Sequence, residues 1–216
     1  MALLAPSILS ADFADLGNDI IKTVEAGADW IHVDVMDGLF VPSISFGMPV
    51  IKSIRKTTDK PFDVHLMINE PIRYIKEFKE AGADILTVHV EGCANTKETL
   101  EEIKKAGMRP ALSIKPKTPV SEIVEYLPMI DMLLVMSVEP GFGGQKLIPE
   151  TVDKVRELRK IIDSQGLDVL IEIDGGVNLE NVQDIKNAGV DVIVAGSAIF
   201  GKDVTEKTEA FVKLIR

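Results

Sequence analysis

His32 and Asp34 lie two apart in the stretch Trp30-Ile-His-Val-Asp-Val-Met-Asp-Gly38. On a strand, residues two apart share a face, so His32, Asp34 and Met36 point one way and Ile31, Val33 and Val35 the other. A neutral imidazole nitrogen beside a carboxylate oxygen suits Zn²⁺ or a similar divalent ion. Phe62-Asp-Val-His-Leu-Met67 repeats the parity, with His65 and Met67 together, and Asp174 ends an apolar run in phase with Leu170 and Glu172. His32, Asp34, His65 and Asp174 can thus form a shell of two histidines and two carboxylates, with positions left for substrate oxygens. Any one of them alone has a plain alternative as a cap or hydrogen-bonding partner; four at strand ends on matching parity favour the joint reading. His89 also falls near a strand end, and its position alone does not separate it from the ligands. Asp37, before Gly38, reads as a turn residue. Met36, Met67 and Met136 read as core residues that also line the site.

Eight short apolar runs alternate with amphipathic stretches and must position these residues. The strands are expected at 3–9, 30–36, 62–67, 84–90, 109–114, 131–138, 168–173 and 191–195. The helices are expected at 12–26, 49–57, 71–82, 97–106, 119–127, 150–164, 179–188 and 203–214. Glu25-Ala-Gly-Ala-Asp29, Glu80-Ala-Gly-Ala-Asp84 and Asn187-Ala-Gly-Val-Asp191 echo one another: a helix end, a glycine stop, an aspartate and then a strand. Repeated joints of this kind across residues 1–216 indicate one α/β domain, a (β/α)₈ TIM barrel near the small end of its size range. A doubly wound sheet is the alternative, but no Gly-x-Gly-x-x-Gly follows the first strand.

In such a barrel the active site lies where the strands end, which adds Ser7 and the Gly196-Ser197 turn to the candidates. Asp174-Gly175-Gly176-Val177-Asn178 and Gly196-Ser197 follow strands seven and eight, where barrels often bind phosphate on backbone N–H groups and a helix N-terminus. Gly141-Phe142-Gly143-Gly144-Gln145 is a third contributor or a mobile lid. The net charge of −10 and pI near 4.8 argue against nucleic acid and anionic membrane as partners, so an anionic substrate must be held by local features. The longest apolar runs are too short to span a bilayer. The start of the chain has no basic segment and meets Pro6 at once, unlike a signal peptide. The single cysteine, Cys93, leaves no intrachain disulfide and fits the cytoplasm.

Six segments, in order, resemble the ribulose-phosphate 3-epimerase family: Ala5-Pro-Ser-Ile-Leu-Ser-Ala-Asp-Phe13, His32-Val-Asp-Val-Met-Asp-Gly38, Asp63-Val-His-Leu-Met67, Pro140-Gly-Phe-Gly-Gly-Gln145, Asp174-Gly-Gly-Val177 and Ala195-Gly-Ser-Ala-Ile-Phe200. The resemblance implies the (β/α)₈ fold and a metal-dependent isomerase that interconverts D-ribulose 5-phosphate and D-xylulose 5-phosphate in the pentose phosphate pathway. By it, His32, Asp34, His65 and Asp174 would bind one divalent ion, Zn²⁺ ahead of Fe²⁺, Mn²⁺ or Co²⁺. Asp34 would accept the proton and Asp174 donate it. Ser7, His65, Gly141, Phe142, Gly143, Gly144, Gly175, Gly176, Gly196 and Ser197 would contact the sugar phosphate. The resemblance also implies a homo-oligomer. Lys115 and Glu139 depart from the Asn residues expected before Pro116 and Pro140, and an ion pair between them is expected to replace an Asn–Asn contact.

Overall fold

Eight strands line up in parallel in a computed structural model that describes residues 1–216. They are β1 (Leu3–Pro6), β2 (Ile31–Met36), β3 (Phe62–Met67), β4 (Ile85–His89), β5 (Arg109–Ile114), β6 (Met132–Met136), β7 (Leu170–Asp174) and β8 (Val192–Ala195). The order β1-β8-β7-β6-β5-β4-β3-β2 leaves β1 and β2 to meet. They do so through a parallel bridge from Ser7 to His32 and a bond from the Asp29 N–H to the Leu4 carbonyl at 2.9 Å. The result is the expected (β/α)₈ barrel, which removes the exposed edges of an open sheet.

Helices α1 (Leu16–Glu25), α2 (Met48–Ile54), α3 (Ile75–Ala81), α4 (Thr96–Lys105), α5 (Glu150–Gln165), α6 (Val182–Asn187) and α7 (Val204–Ile215) surround it. Their apolar faces and the outward face of every strand share one core of 49 buried residues, Ile31, Val33 and Val35 among them. The inward faces stack in layers. Trp30, Ile85, Met132 and Val192 belong to an apolar plug, followed along the strands by His32, Asp63 and Glu172, then by Asp34, His65, His89 and Asp174. The methionines 36, 67 and 136 close the series at the strand ends.

Several helices are shorter than their periodicity suggests. Residues 119–127, expected as a helix, form two 3₁₀ turns, Val120–Glu122 and Val124–Met129, because Pro128 brings no N–H to an α-helical ladder. The helix after β7 starts at Val182 rather than 179, since the Asn178 side chain accepts from the N–H groups of Glu180 and Asn181 and holds a turn there. After β8, residues 196–200 also form a turn, with the N–H groups of Ile199 and Phe200 donating to the Gly196 carbonyl. Gly201 and Asp203, both left-handed, delay α7 until Val204.

Candidate active site

The register of β2 on β3 pairs His32 with Asp63, Asp34 with His65 and Met36 with Met67. Alternation then sends all six side chains inward at three successive levels. His32, His65 and Asp63 are fully buried, and Asp34 is 3% exposed. One ligand atom from each of His32, Asp34, His65 and Asp174 can be chosen so that all four lie within 4.8 Å of one another. The four residues singled out from strand parity therefore converge, although they come from three strands.

Their hydrogen bonds define what the cluster can do. His32 Nδ1 lies 2.6 Å from Asp63 Oδ2, which leaves His32 Nε2 buried, without a hydrogen-bond partner and 3.3 Å from Asp34 Oδ1. A buried, orphaned imidazole nitrogen beside two carboxylates and a second imidazole fits a divalent cation of the Zn²⁺, Fe²⁺, Mn²⁺ or Co²⁺ type. Asp63 as the outer partner of His32 is the usual support for such a ligand. His65 Nδ1 lies 3.1 Å from Asp34 Oδ1, and the Ser7 hydroxyl donates to Asp34 Oδ2 at 2.5 Å. Burial alone would raise the pKa of Asp34, but the His32 and His65 rings outweigh it and hold the carboxyl well below the usual range. Asp174 goes the other way: burial and then the charge of Asp34 push it up to about 6. Deeper in the barrel, burial and then Asp63 raise Glu172 well above the ordinary carboxyl range, and neither of its oxygens has a hydrogen-bond partner.

A cleft of about 550 Å³, its open mouth included, lies over this cluster. It is lined by Ser7, Asp34, Met36, Met67, Met136, Gly141, Phe142, Gly143, Gly144, Asp174, Gly175, Gly176, Gly196 and Ser197, all of them expected from sequence. His32 and His65 lie beneath its floor. Leu9, Ser10, Val138, Pro140, Gln145, Val177 and Val194 complete the lining; Gln145 and Val177 belong to the turns singled out from sequence, and the other five carry no signal of residue type. Two glycines are there for space. A Cβ on Gly176 (φ +66°) would stand 2.2 Å from the Leu147 nitrogen, and one on Gly196 would stand 2.8 Å from the Ser10 hydroxyl. The Gln145 amide donates to the Glu139 and Phe142 carbonyls and closes the 141–144 loop on itself. Ser137 donates its hydroxyl to the Asp174 and Gly175 carbonyls and so holds the turn after β7.

Asp37 is the turn residue it was expected to be: Oδ1 accepts from the N–H groups of Leu39 and Phe40, and Oδ2 from that of Asn69. The Lys115–Glu139 pair is not formed. Glu139 lies 3.7 Å from Lys117, and the Lys115 ammonium sits 3.9 Å from the centre of the Phe40 ring. Lys115 is past the end of β5, where its N–H is tied to Glu91, and the side chain leaves toward Phe40. Asp63, whose strand parity matches that of His65, joins the site without having been singled out by its residue type, and His89 enters it with its Nε2 2.9 Å from that of His65.

A closed parallel barrel that gathers histidines, carboxylates and glycine-rich turns at the C-terminal ends of its strands has the layout of a (β/α)₈ enzyme. Among solved structures, 3-keto-L-gulonate-6-phosphate decarboxylase from Vibrio cholerae shares this fold, with a TM-score of 0.74 at 14% identity over 99% of this chain and 97% of that one. The sequence matches the Ribulose-phosphate 3 epimerase family over residues 3–200. Ribulose-phosphate 3-epimerase of Bacillus subtilis is 48% identical over 208 residues, 96% of each chain, and that of Escherichia coli K12 is 48% identical over 92% of this chain and 88% of its own. The chain belongs to the ribulose-phosphate 3-epimerase family and is an epimerase, an enzyme of the isomerase class. No helix is long and apolar enough to cross a membrane.

Proposed function

We propose that the protein interconverts D-ribulose 5-phosphate and D-xylulose 5-phosphate by inverting C3 through a 2,3-enediolate, with Asp34 and Asp174 as the two proton carriers. The observation that carries this reading is the presence of both carboxylates in one cleft, on strands separated by β1 and β8, within a chain of this family. Inversion beside a ketone needs a proton taken from one face of the carbon and returned to the other, which two groups on different sides of the sugar provide. Asp34, ionised between two imidazoles and a serine hydroxyl, takes the C3 proton. Asp174, protonated, returns one on the other face, and the roles reverse in the back reaction. A divalent ion held by His32, Asp34, His65 and Asp174 would supply positive charge beside the enediolate oxygens. Met36, Met67 and Met136 keep water out and offer no exchangeable proton. Backbone N–H groups of the turns at 141–144, 175–176 and 196–197 take the phosphate, and the glycines let it approach. Residues 1–216 serve as one catalytic domain, working in the cytoplasm as a homo-oligomer.

Proton NMR of D-ribulose 5-phosphate with the metal-loaded protein in D₂O tests this. Xylulose 5-phosphate carrying deuterium at C3 is the expected product. No product and an unchanged C3 proton signal, from protein shown to be folded and metal-bound, would overturn the substrate assignment.

A further inference from the structure

His65 is the one histidine of the cluster whose outer nitrogen meets another imidazole rather than a carboxylate. Its Nε2 lies 2.9 Å from the Nε2 of His89, a residue with no exposed surface. Between two such nitrogens one must donate and the other accept. Which does so is settled further out. His89 Nδ1 lies 3.1 Å from Glu91 Oε2, while Glu91 Oε1 accepts from the Lys115 N–H at 2.8 Å and from the Thr118 hydroxyl. A carboxylate surrounded by donors only accepts, so His89 carries its proton on Nδ1 and presents a lone pair at Nε2. His65 must then donate from Nε2, and its Nδ1, 3.1 Å from Asp34 Oδ1, is left with a lone pair facing the candidate ligands.

We propose that His89 and Glu91 are positioning residues that select the His65 tautomer able to bind the cation through Nδ1. This rests on the reading of His65 as a metal ligand. The relay is anchored at both ends. The Lys154 ammonium donates to the carbonyls of Lys115, Pro116 and Thr118 at 3.2, 2.8 and 2.6 Å and so fixes the loop that supplies the donors to Glu91. The Phe40 ring packs on His89 with centroids 4.9 Å apart. His32 has a different device, a direct contact of 2.6 Å with Asp63. The two imidazoles of the cluster are therefore oriented by different partners, Asp63 for His32 and His89 for His65, and the second network reaches out to the loop after β5.

The test uses Zn²⁺-loaded protein labelled with ¹⁵N in its histidines, with NMR reading which ring nitrogens carry protons. Zn²⁺ affinity is measured by chelator competition for the wild type, His65→Ala, Glu91→Gln and His89→Gln, each checked for folding by its melting curve. The expected result is metal on His65 Nδ1 and protons on His65 Nε2 and His89 Nδ1. Glu91→Gln cannot accept from all three donors, and should weaken Zn²⁺ binding about 10- to 100-fold while changing the His89 tautomer. His89→Gln, whose amide oxygen can still accept from His65 Nε2, should stay near the wild-type affinity. A wild-type His89 with its proton on Nε2, or a folded Glu91→Gln with unchanged affinity, would overturn the relay while leaving the ligand assignment standing. Should Glu91→Gln not fold, the wild-type spectrum alone gives the answer. Unchanged affinity in His65→Ala would instead remove the ligand assignment itself.

Discussion

Asp34 lies against two imidazoles and a serine hydroxyl, whereas Asp174 feels burial and the negative charge of Asp34 more strongly than either ring. Two carboxyls of one cleft are thereby biased toward opposite protonation states, the condition for a base and an acid to work on the same carbon. Asp34→Asn removes the acceptor and Asp174→Asn the exchangeable acid, with little change in shape. Each should lower turnover on the order of 10³-fold or more, with the melting temperature close to that of the wild type. Steady-state assays in both directions check this, and a variant that keeps a tenth of the wild-type rate would contradict the scheme. Both directions matter because the proposed scheme makes each aspartate the base in one of them.

The elements that carry these residues are pinned by small polar devices at the strand ends. Asp37 ties the loop after β2 to the loop after β3 by accepting three backbone N–H groups. Burial would raise its pKa, but those three donors outweigh it and lower the value below the ordinary 3.8. Its contribution to stability is therefore complete above that ordinary value and is lost as pH falls through and below it. Asp37→Ala should cost about 1–2 kcal/mol at neutral pH, the lower part of the range for such bonds because the carboxyl is partly solvated. The gap from the wild type in urea midpoints should narrow below a pH of about 3.8. On the opposite side of the mouth, Gly176→Ala would force a Cβ against the Leu147 nitrogen at a left-handed φ. A loss of about 1–3 kcal/mol and a raised KM for the sugar phosphate are expected, read by denaturation and steady-state kinetics on the same preparation. A stability loss with an unchanged KM would detach this turn from phosphate binding.

The whole molecule sets a conflict that the site must resolve. A chain with a net charge of −10 gathers Asp34, Asp63, Glu172 and Asp174 in one barrel, and the proposed function asks it to take an anionic substrate over them. A bound cation offsets that charge locally and stabilises the folded state by mass action, by about 2.7 kcal/mol at a hundred times its Kd. For a chain of 216 residues this corresponds to about 5–10 °C in melting temperature. Chelation should therefore lower both activity and the calorimetric melting temperature, and added Zn²⁺ or Mn²⁺ should restore both. An unchanged melting temperature after verified metal removal would count against the cluster as a cation site.

The inward parity of His32, Asp34 and His65 was legible in the residues themselves, because alternation along a strand is a local property of the backbone. So was the (β/α)₈ order, since a helix-stop glycine followed by a strand-opening aspartate recurs before β2, β4 and β8 and apolar runs alternate with amphipathic ones throughout. Helix ends were less legible. The 3₁₀ turns at 120–129 and the Asn178 turn arise where proline or side-chain hydrogen bonds compete with an otherwise helical pattern. The pairings His32–Asp63 and His65–His89, and the Glu91 network behind them, were not legible at all. They join residues 31 and 24 positions apart, and Glu91 reaches the loop after β5 across 24 and 27 more. Sequence alternation says which face a side chain takes. Which neighbour it meets there depends on the stagger between strands, and that is set by closure of the whole barrel.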